Sequence, residues 1–234
     1  AEALLRWQHP QLGLTLPQLF LPAAQETGFI VQLTNWLMSQ VAEDMAAVAP
    51  TVPNFHVSMN LSPAHFLHPE LLPTIRAIFG SRLPLHHVIF EITEHQLIAG
   101  HEGPALGILQ DLRGTGARVA LDDFGTGYSS LKYLSRYPFD YLKIDKAFVD
   151  AIGTESVTAG LTDTIVAMAN QLKMRTVAEG VESQVQLDHL RSLGVDFVQG
   201  WLLARDMPVD EFRLFLETRR ADPQQVSQKS RQFA

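Results

Sequence analysis

Short apolar runs alternate with longer amphipathic stretches along the chain. Runs at residues 3–7, 55–61, 87–93, 118–123, 139–145, 175–179 and 195–199 read as strands. Between them apolar residues recur at helical spacing. Leu33, Leu37, Val41 and Met45 repeat every four residues, Leu71, Leu72, Ile75 and Phe79 share one helical face, and Leu161, Ile165, Met168 and Leu172 form another. Gly114, Gly116 and Gly194 stand where helices should stop before the next strand. Pro208 fits the first turn of a closing helix over 209–219.

Strand–helix alternation over the whole length predicts a parallel sheet with helical crossovers. Seven such units are visible, the first beginning abruptly at residue 1. An α/β fold of the TIM-like (β/α)8 barrel type, ~250 residues when whole, has this pattern once its opening helix and first strand are missing. An open doubly wound sheet is the rival, but no glycine-rich dinucleotide turn supports it. The domain is expected over 1–220, and 221–234, rich in glutamine (Gln224, Gln225, Gln228, Gln232), as a frayed polar tail.

Composition narrows the chemistry. The 234 residues fit one large domain, and 46% hydrophobic with only 18% charged residues suits many buried strands. A net charge of −7 argues against a DNA or RNA duplex as partner. Metal ions would still let an acidic protein hold a small anionic ligand. The absence of cysteine excludes disulfides, thiolate zinc sites and a cysteine nucleophile. No apolar stretch approaches the ~20 residues of a membrane-spanning helix, and no signal peptide opens the sequence, so a cytoplasmic location is expected, with any membrane anchor elsewhere.

What ends each apolar run carries the chemistry. Glu2 opens the first, Asn60 ends the second, and Glu91 and Glu94 lie at the end of the third. Asp122 and Asp123 end the fourth, Lys143 and Asp145 the fifth, Glu179 the sixth and Gln199 the seventh. A lone carboxylate in a buried strand costs several kcal/mol unless paired or bound to a cation. In a parallel barrel these ends converge on the mouth where barrel enzymes place their sites. Such a ring of hard oxygen donors suits Mg²⁺ or Mn²⁺ better than zinc. Adjacent Asp122 and Asp123 imply that the strand ends or bends there, because neighbouring side chains of a regular strand face opposite ways. One carboxylate could then bridge two ions ~3.5–4 Å apart, as in-line attack on a phosphodiester uses.

The motifs then become specific. They are Glu2-Ala3-Leu4-Leu5-Arg6-Trp7, Asn60-Leu61-Ser62, Glu91-Ile92-Thr93-Glu94 and Asp122-Asp123-Phe124-Gly125-Thr126-Gly127-Tyr128-Ser129-Ser130-Leu131. Lys143-Ile144-Asp145, Ala178-Glu179-Gly180-Val181-Glu182 and Gln199-Gly200 complete the set. In this order the sequence resembles the EAL domain family of cyclic di-GMP phosphodiesterases, from residue 1 to about Met207-Pro208. The resemblance implies a bacterial signalling hydrolase that opens cyclic di-GMP to linear pGpG with two Mg²⁺ or Mn²⁺ ions and a water nucleophile. It assigns Glu2, Asn60, Glu91 and Asp122 to one metal, and Asp122, Asp123 and Glu179 to the other. Lys143 would orient or help deprotonate the attacking water, with Glu2 and Glu179 counted in the catalytic set. Leu4, Arg6, Asp145 and Gln199 would contact substrate or water, Glu94 would pin the loop after Asp123, and Glu182 would support the site. The loop Gly125-Thr126-Gly127-Tyr128-Ser129-Ser130 is tied by the resemblance to dimerisation and activation. A homodimer, and a sensory domain fused to or regulating the chain, are therefore expected, in the cytoplasm or as the cytoplasmic part of a membrane-anchored protein. Calcium is expected to inhibit through its looser geometry.

Plainer readings stand beside several of these. Glu2 could be a surface residue, Asn60 a cap before Pro63, Lys143 a structural ion pair, Asp145 a helix cap and Gln199 a backbone cap. Glu182 could serve a helix dipole, and the glycine loop could be a turn into a serine-capped helix. The histidines show no metal-ligand spacing. The sequence departs from the family in beginning at the tripeptide itself, without the aromatic-Gln-Pro-Ile-like stretch beside a guanine. It also has Trp201 where Tyr or Phe is usual and Asp206 where Pro is usual. A non-catalytic receptor that binds cyclic di-GMP, or a scaffold that binds only protein, is the alternative. Degenerate members are expected to lose metal ligands, the lysine or the glycine loop, and all are present here.

Overall fold

A computed structural model describes residues 1–52, 54–94, 102–125, 134 and 136–221. They fall into two compact units, one comprising 1–120 with 136–138, the other the described residues of 121–135 and those from 139 onward.

The first unit opens with an antiparallel hairpin, β1 (Trp7–His9) and β2 (Gly13–Thr15), followed by α1 (Pro17–Glu26) and α2 (Ile30–Ala46). Next come β3 (Val57–Asn60), α3 (Pro63–Phe66), α4 (Leu71–Phe79), β4 (Val88–Thr93), α5 (Glu102–Gly114) and the first half of β5 (Arg118–Phe124). β3 and β4 run parallel, pairing Val57 with Val88 and Asn60 with Glu91. The second unit holds the rest of β5, then β6 (Tyr141–Ile144), α6 (Lys146–Asp150), α7 (Leu161–Gln171), β7 (Arg175–Ala178), α8 (Gln184–Ser192), β8 (Phe197–Val198) and α9 (Val209–Ala221). There β5, β6, β7 and β8 neighbour one another in chain order, the arrangement right-handed crossovers produce.

Six of the seven expected strands form, five of them shorter than their apolar runs and β5 one residue longer. The expected strand over 3–7 does not. Ala1 to Ala3 pair with β3 through Ala3 N–H to Ser58 O (2.8 Å) and Ser58 N–H to Ala1 O (2.9 Å), a single parallel bridge. The chain then leaves, and Trp7 enters the β1–β2 hairpin instead. His9 Nδ1 accepts from the amides of Gln11 and Leu12, both at 3.1 Å, and Gly13 takes φ +69°, so the polar turn outweighs the apolar run before it. Pro10 and Gly13 were the readable signal for this turn.

The predicted helices are present, with the buried faces of α2 and α7 rotated from the expected ones. On α2 the buried line is Ile30, Thr34, Met38, Val41 and Met45, while Leu33 and Leu37 are half-buried. Thr34 can join it because its hydroxyl donates to Ile30 O at 2.8 Å. Leu71, Ile75 and Phe79 of α4 are buried, and Phe79 meets Phe90 edge-on at 6.3 Å in the first unit's core. On α7, Ile165 is buried but Leu161 is exposed, and Val166 and Ala169 take over the line. Among the described residues no helix is long and apolar enough to cross a membrane. The expected tail lies outside the described residues, apart from Ala221 at the end of α9.

Candidate active site

Each unit assembles its own group of strand-end side chains. In the first, parallel register sets Asn60 beside Glu91, and the bridge at Ser58 brings Glu2 to the same strand end. Asn60 Nδ2 donates to Glu91 Oε2 at 3.3 Å and to Glu2 Oε1 at 3.5 Å. Glu91 is only 2% exposed, so its charge needs compensation of the kind a cation or a donor gives. Leu4 is exposed, and Arg6 donates to Leu5 O at 2.8 Å. Glu94, directly after β4, is buried, and the loop it was expected to pin lies outside the described residues except for Gly125.

In the second unit, Lys143 is 3% exposed and its ammonium lies between two carboxylates. Nζ is 3.1 Å from Asp122 Oδ1 and 2.5 Å from Glu179 Oε1. Glu179 Oε1 also accepts from Gln199 Nε2 at 3.1 Å, and Asp122 Oδ1 from the Asp123 amide at 3.0 Å. Asp123 adopts φ +54°, the left-handed region, and this is the bend that the adjacent aspartates implied. Strain of that kind, about 1–3 kcal/mol at a non-glycine residue, concentrates at functional sites.

The loops behind these residues are tightly fastened. Glu179 N–H donates to Ile144 O at 3.0 Å, and Val181 N–H to Gln199 O at 3.0 Å. A Cβ on Gly200 would overlap the backbone of Val181, which is why the residue after Gln199 is glycine. Asp145 caps α6, accepting from the Ala147 amide at 2.8 Å. Glu182 does not open α8. Ser183 is its N-cap, in a capping box with Gln186, and Glu182 instead pairs with Lys146 at 2.8 Å. Lys146 also reaches Asp150 at 3.0 Å, and its hydrogen bond to Glu182, before that to Asp150, raises its pKa. Sequence reasoning missed Lys146, although it stands directly after the Lys143-Ile144-Asp145 motif.

The donor chemistry fits hard divalent cations. The first group offers two carboxylates and an amide, and the second directs two carboxylates, buried Asp122 and half-buried Glu179, at one cationic partner. Among the described residues no three Asp, Glu or His side chains are close enough to hold an ion by themselves. In the second unit the place between Asp122 and Glu179 is taken by the Lys143 ammonium.

Known proteins resemble this chain in sequence and in fold. The bifunctional diguanylate cyclase/cyclic di-GMP phosphodiesterase MucR of Pseudomonas aeruginosa is 40% identical over 212 residues, covering 90% of this chain and 31% of the relative. The probable cyclic di-GMP phosphodiesterase PdeN of Escherichia coli is 39% identical over 219 residues, covering 92% and 42% respectively. The chain thus spans less than half the length of these relatives. A solved structure described as the PaMucR phosphodiesterase in complex with c-di-GMP superposes with a TM-score of 0.85 at 39% identity, covering 90% of this chain and 86% of that one. The fold is therefore α/β of the EAL barrel type. The EAL domain matches residues 1–206, so the chain belongs to the EAL domain family.

Proposed function

We propose that this chain is the catalytic domain of a phosphodiesterase that hydrolyses cyclic di-GMP to linear pGpG. Family membership supplies the substrate class. The observation that carries the catalytic reading is the buried Lys143 held between Asp122 and Glu179, a charged group that a protein serving only as a scaffold has no need to bury.

On this reading Glu2, Asn60, Glu91 and Asp122 would hold one Mg²⁺ or Mn²⁺ ion, and Asp122, Asp123 and Glu179 would hold a second once drawn closer by it. Such ions supply Lewis acidity and a bound water acidic enough to be deprotonated near neutral pH. The chain's own groups do the rest. Lys143 stays protonated among carboxylates and donates a hydrogen bond that fixes the attacking water and steadies negative charge developing at phosphorus. Gln199 holds Glu179 in orientation through its amide. Arg6 offers a guanidinium to a phosphate, and Leu4 an exposed apolar surface to a base. Asp145 and Glu182 act through the loops they fasten. Glu94, a sensory domain in a longer protein and a homodimer organised by the 125–130 loop belong to the same reading. The greater length of the relatives is consistent with the sensory domain.

Incubation with cyclic di-GMP and Mg²⁺ or Mn²⁺, followed by chromatography, should yield pGpG. Calcium in place of magnesium should slow or stop it. Tight binding of cyclic di-GMP with no pGpG under any of these ions would overturn the catalytic reading in favour of a receptor.

A further inference from the structure

A divalent ion held by Asp122 and Glu179 needs the same oxygens that Lys143 now engages. Nζ lies within 3.1 Å of Asp122 Oδ1 and closer still to Glu179 Oε1, so both carboxylates already have a cation. All three groups are substantially withdrawn from water, with side-chain exposures of 3%, 10% and 18%. Two cations cannot share that space without strong repulsion, because burial removes the screening that would soften it. Two such carboxylates without any cation would repel each other and the fold around them.

We propose that Lys143 is a resident counter-cation that competes with the metal. Its ammonium holds Asp122 and Glu179 together when no ion is bound, and it must give up at least one of them when an ion arrives. The inference rests on the proposed metal-dependent function. Lys143 is then a brake on metal affinity as well as a donor to water. The lysine charge makes the empty protein more stable and the loaded one less tightly bound. Gln199, whose amide stays on Glu179 Oε1, keeps that carboxylate oriented while the ammonium withdraws.

The test uses metal binding rather than turnover. Mn²⁺ affinity and the Mn²⁺-induced rise in Tm are measured for the intact chain and for Lys143→Met, each compared with chelator. The variant should melt lower in chelator, show the larger Mn²⁺-induced rise and bind Mn²⁺ about tenfold more tightly or better, since a repelling charge beside the ion is gone. Folding of the variant only in the presence of Mn²⁺ is the same result in stronger form. Equal or weaker Mn²⁺ binding by the variant overturns the competition while leaving the metal site standing. No Mn²⁺ effect on either protein removes the metal site itself. A variant that folds in neither condition leaves the wild type to decide, through a crystal structure with Mn²⁺. Nζ should there lie beyond hydrogen-bond distance of at least one carboxylate, and Nζ still bridging both with the ion bound refutes the proposal.

Discussion

Gly200→Ala isolates the backbone geometry that supports the second group of site residues. Gly200 has φ +150°, and a Cβ there would meet the N, C and O atoms of Val181, the carbonyl carbon at 2.8 Å. The obstruction is backbone rather than the movable end of a side chain, so one of the two strands of chain must shift. Val181 lies between two hydrogen bonds that such a shift disturbs, Val181 N–H to Gln199 O and Leu202 N–H to Val181 O, both 3.0 Å. Losing both costs about 2 kcal/mol, and the strained φ adds roughly 1–3 kcal/mol. A loss of about 3–5 kcal/mol should lower Tm by roughly 6–20 °C in a chain of this size. Urea denaturation followed by circular dichroism measures it, with Gly114→Ala as the contrasting variant. Gly114 ends α5 with open space around it, so alanine there should be neutral or stabilising by up to about 1 kcal/mol. Parallel losses below 1 kcal/mol at both positions would show that the close approach of Gly200 to Val181 does not constrain this fold.

Three further outcomes are expected. Asp122→Asn should lower turnover by about 100-fold or more while the fold persists, because Lys143 keeps Glu179 as a partner; undiminished pGpG formation removes Asp122 from the metal assignment. Lys146→Met keeps the aliphatic stem over Gly180 but removes its ion pairs to Glu182 and Asp150, whose side chains are all nearly half exposed, so the urea midpoint should report a loss of no more than about 1 kcal/mol. A larger loss means that the pairs matter more than their exposure implies. His65 is buried, with Nδ1 lacking a partner among the described residues, and burial followed by the charge of His68 lowers its pKa to about 4. The unfolded chain therefore takes up a proton first as pH falls. The stability associated with neutral His65 is intact above pH 6.5 and is lost progressively toward pH 4, by up to about 3 kcal/mol. His65→Gln should flatten that slope in denaturation curves taken between pH 4 and 7, and an unchanged slope assigns it to other groups.

The sequence by itself determined the alternation of strands and helices from β3 onward and which polar residues stand at the strand ends of the candidate site. Strand–helix alternation is a local signal, and polar residues ending apolar runs stand out wherever strands are buried on both faces. Asn60, Glu91, Asp122, Lys143 and Glu179 were legible for that reason. The bend at Asp123 was legible too, because two neighbouring aspartates cannot share one face of a regular strand.

Only tertiary structure decided which partners these residues take. That Lys143 bridges Asp122 and Glu179 depends on neighbouring strand ends separated by 21 and 36 positions, and no local pattern encodes such a meeting. The N-terminal run failed as a strand because a single bridge to β3 could not hold it against the turn at His9 to Gly13. The helical repeat of α2 placed its buried face one residue off, since periodicity gives a stripe but the packing partner chooses its centre. Lys146 escaped notice because an exposed lysine acquires its role only when Glu182, 36 residues on, folds back to meet it.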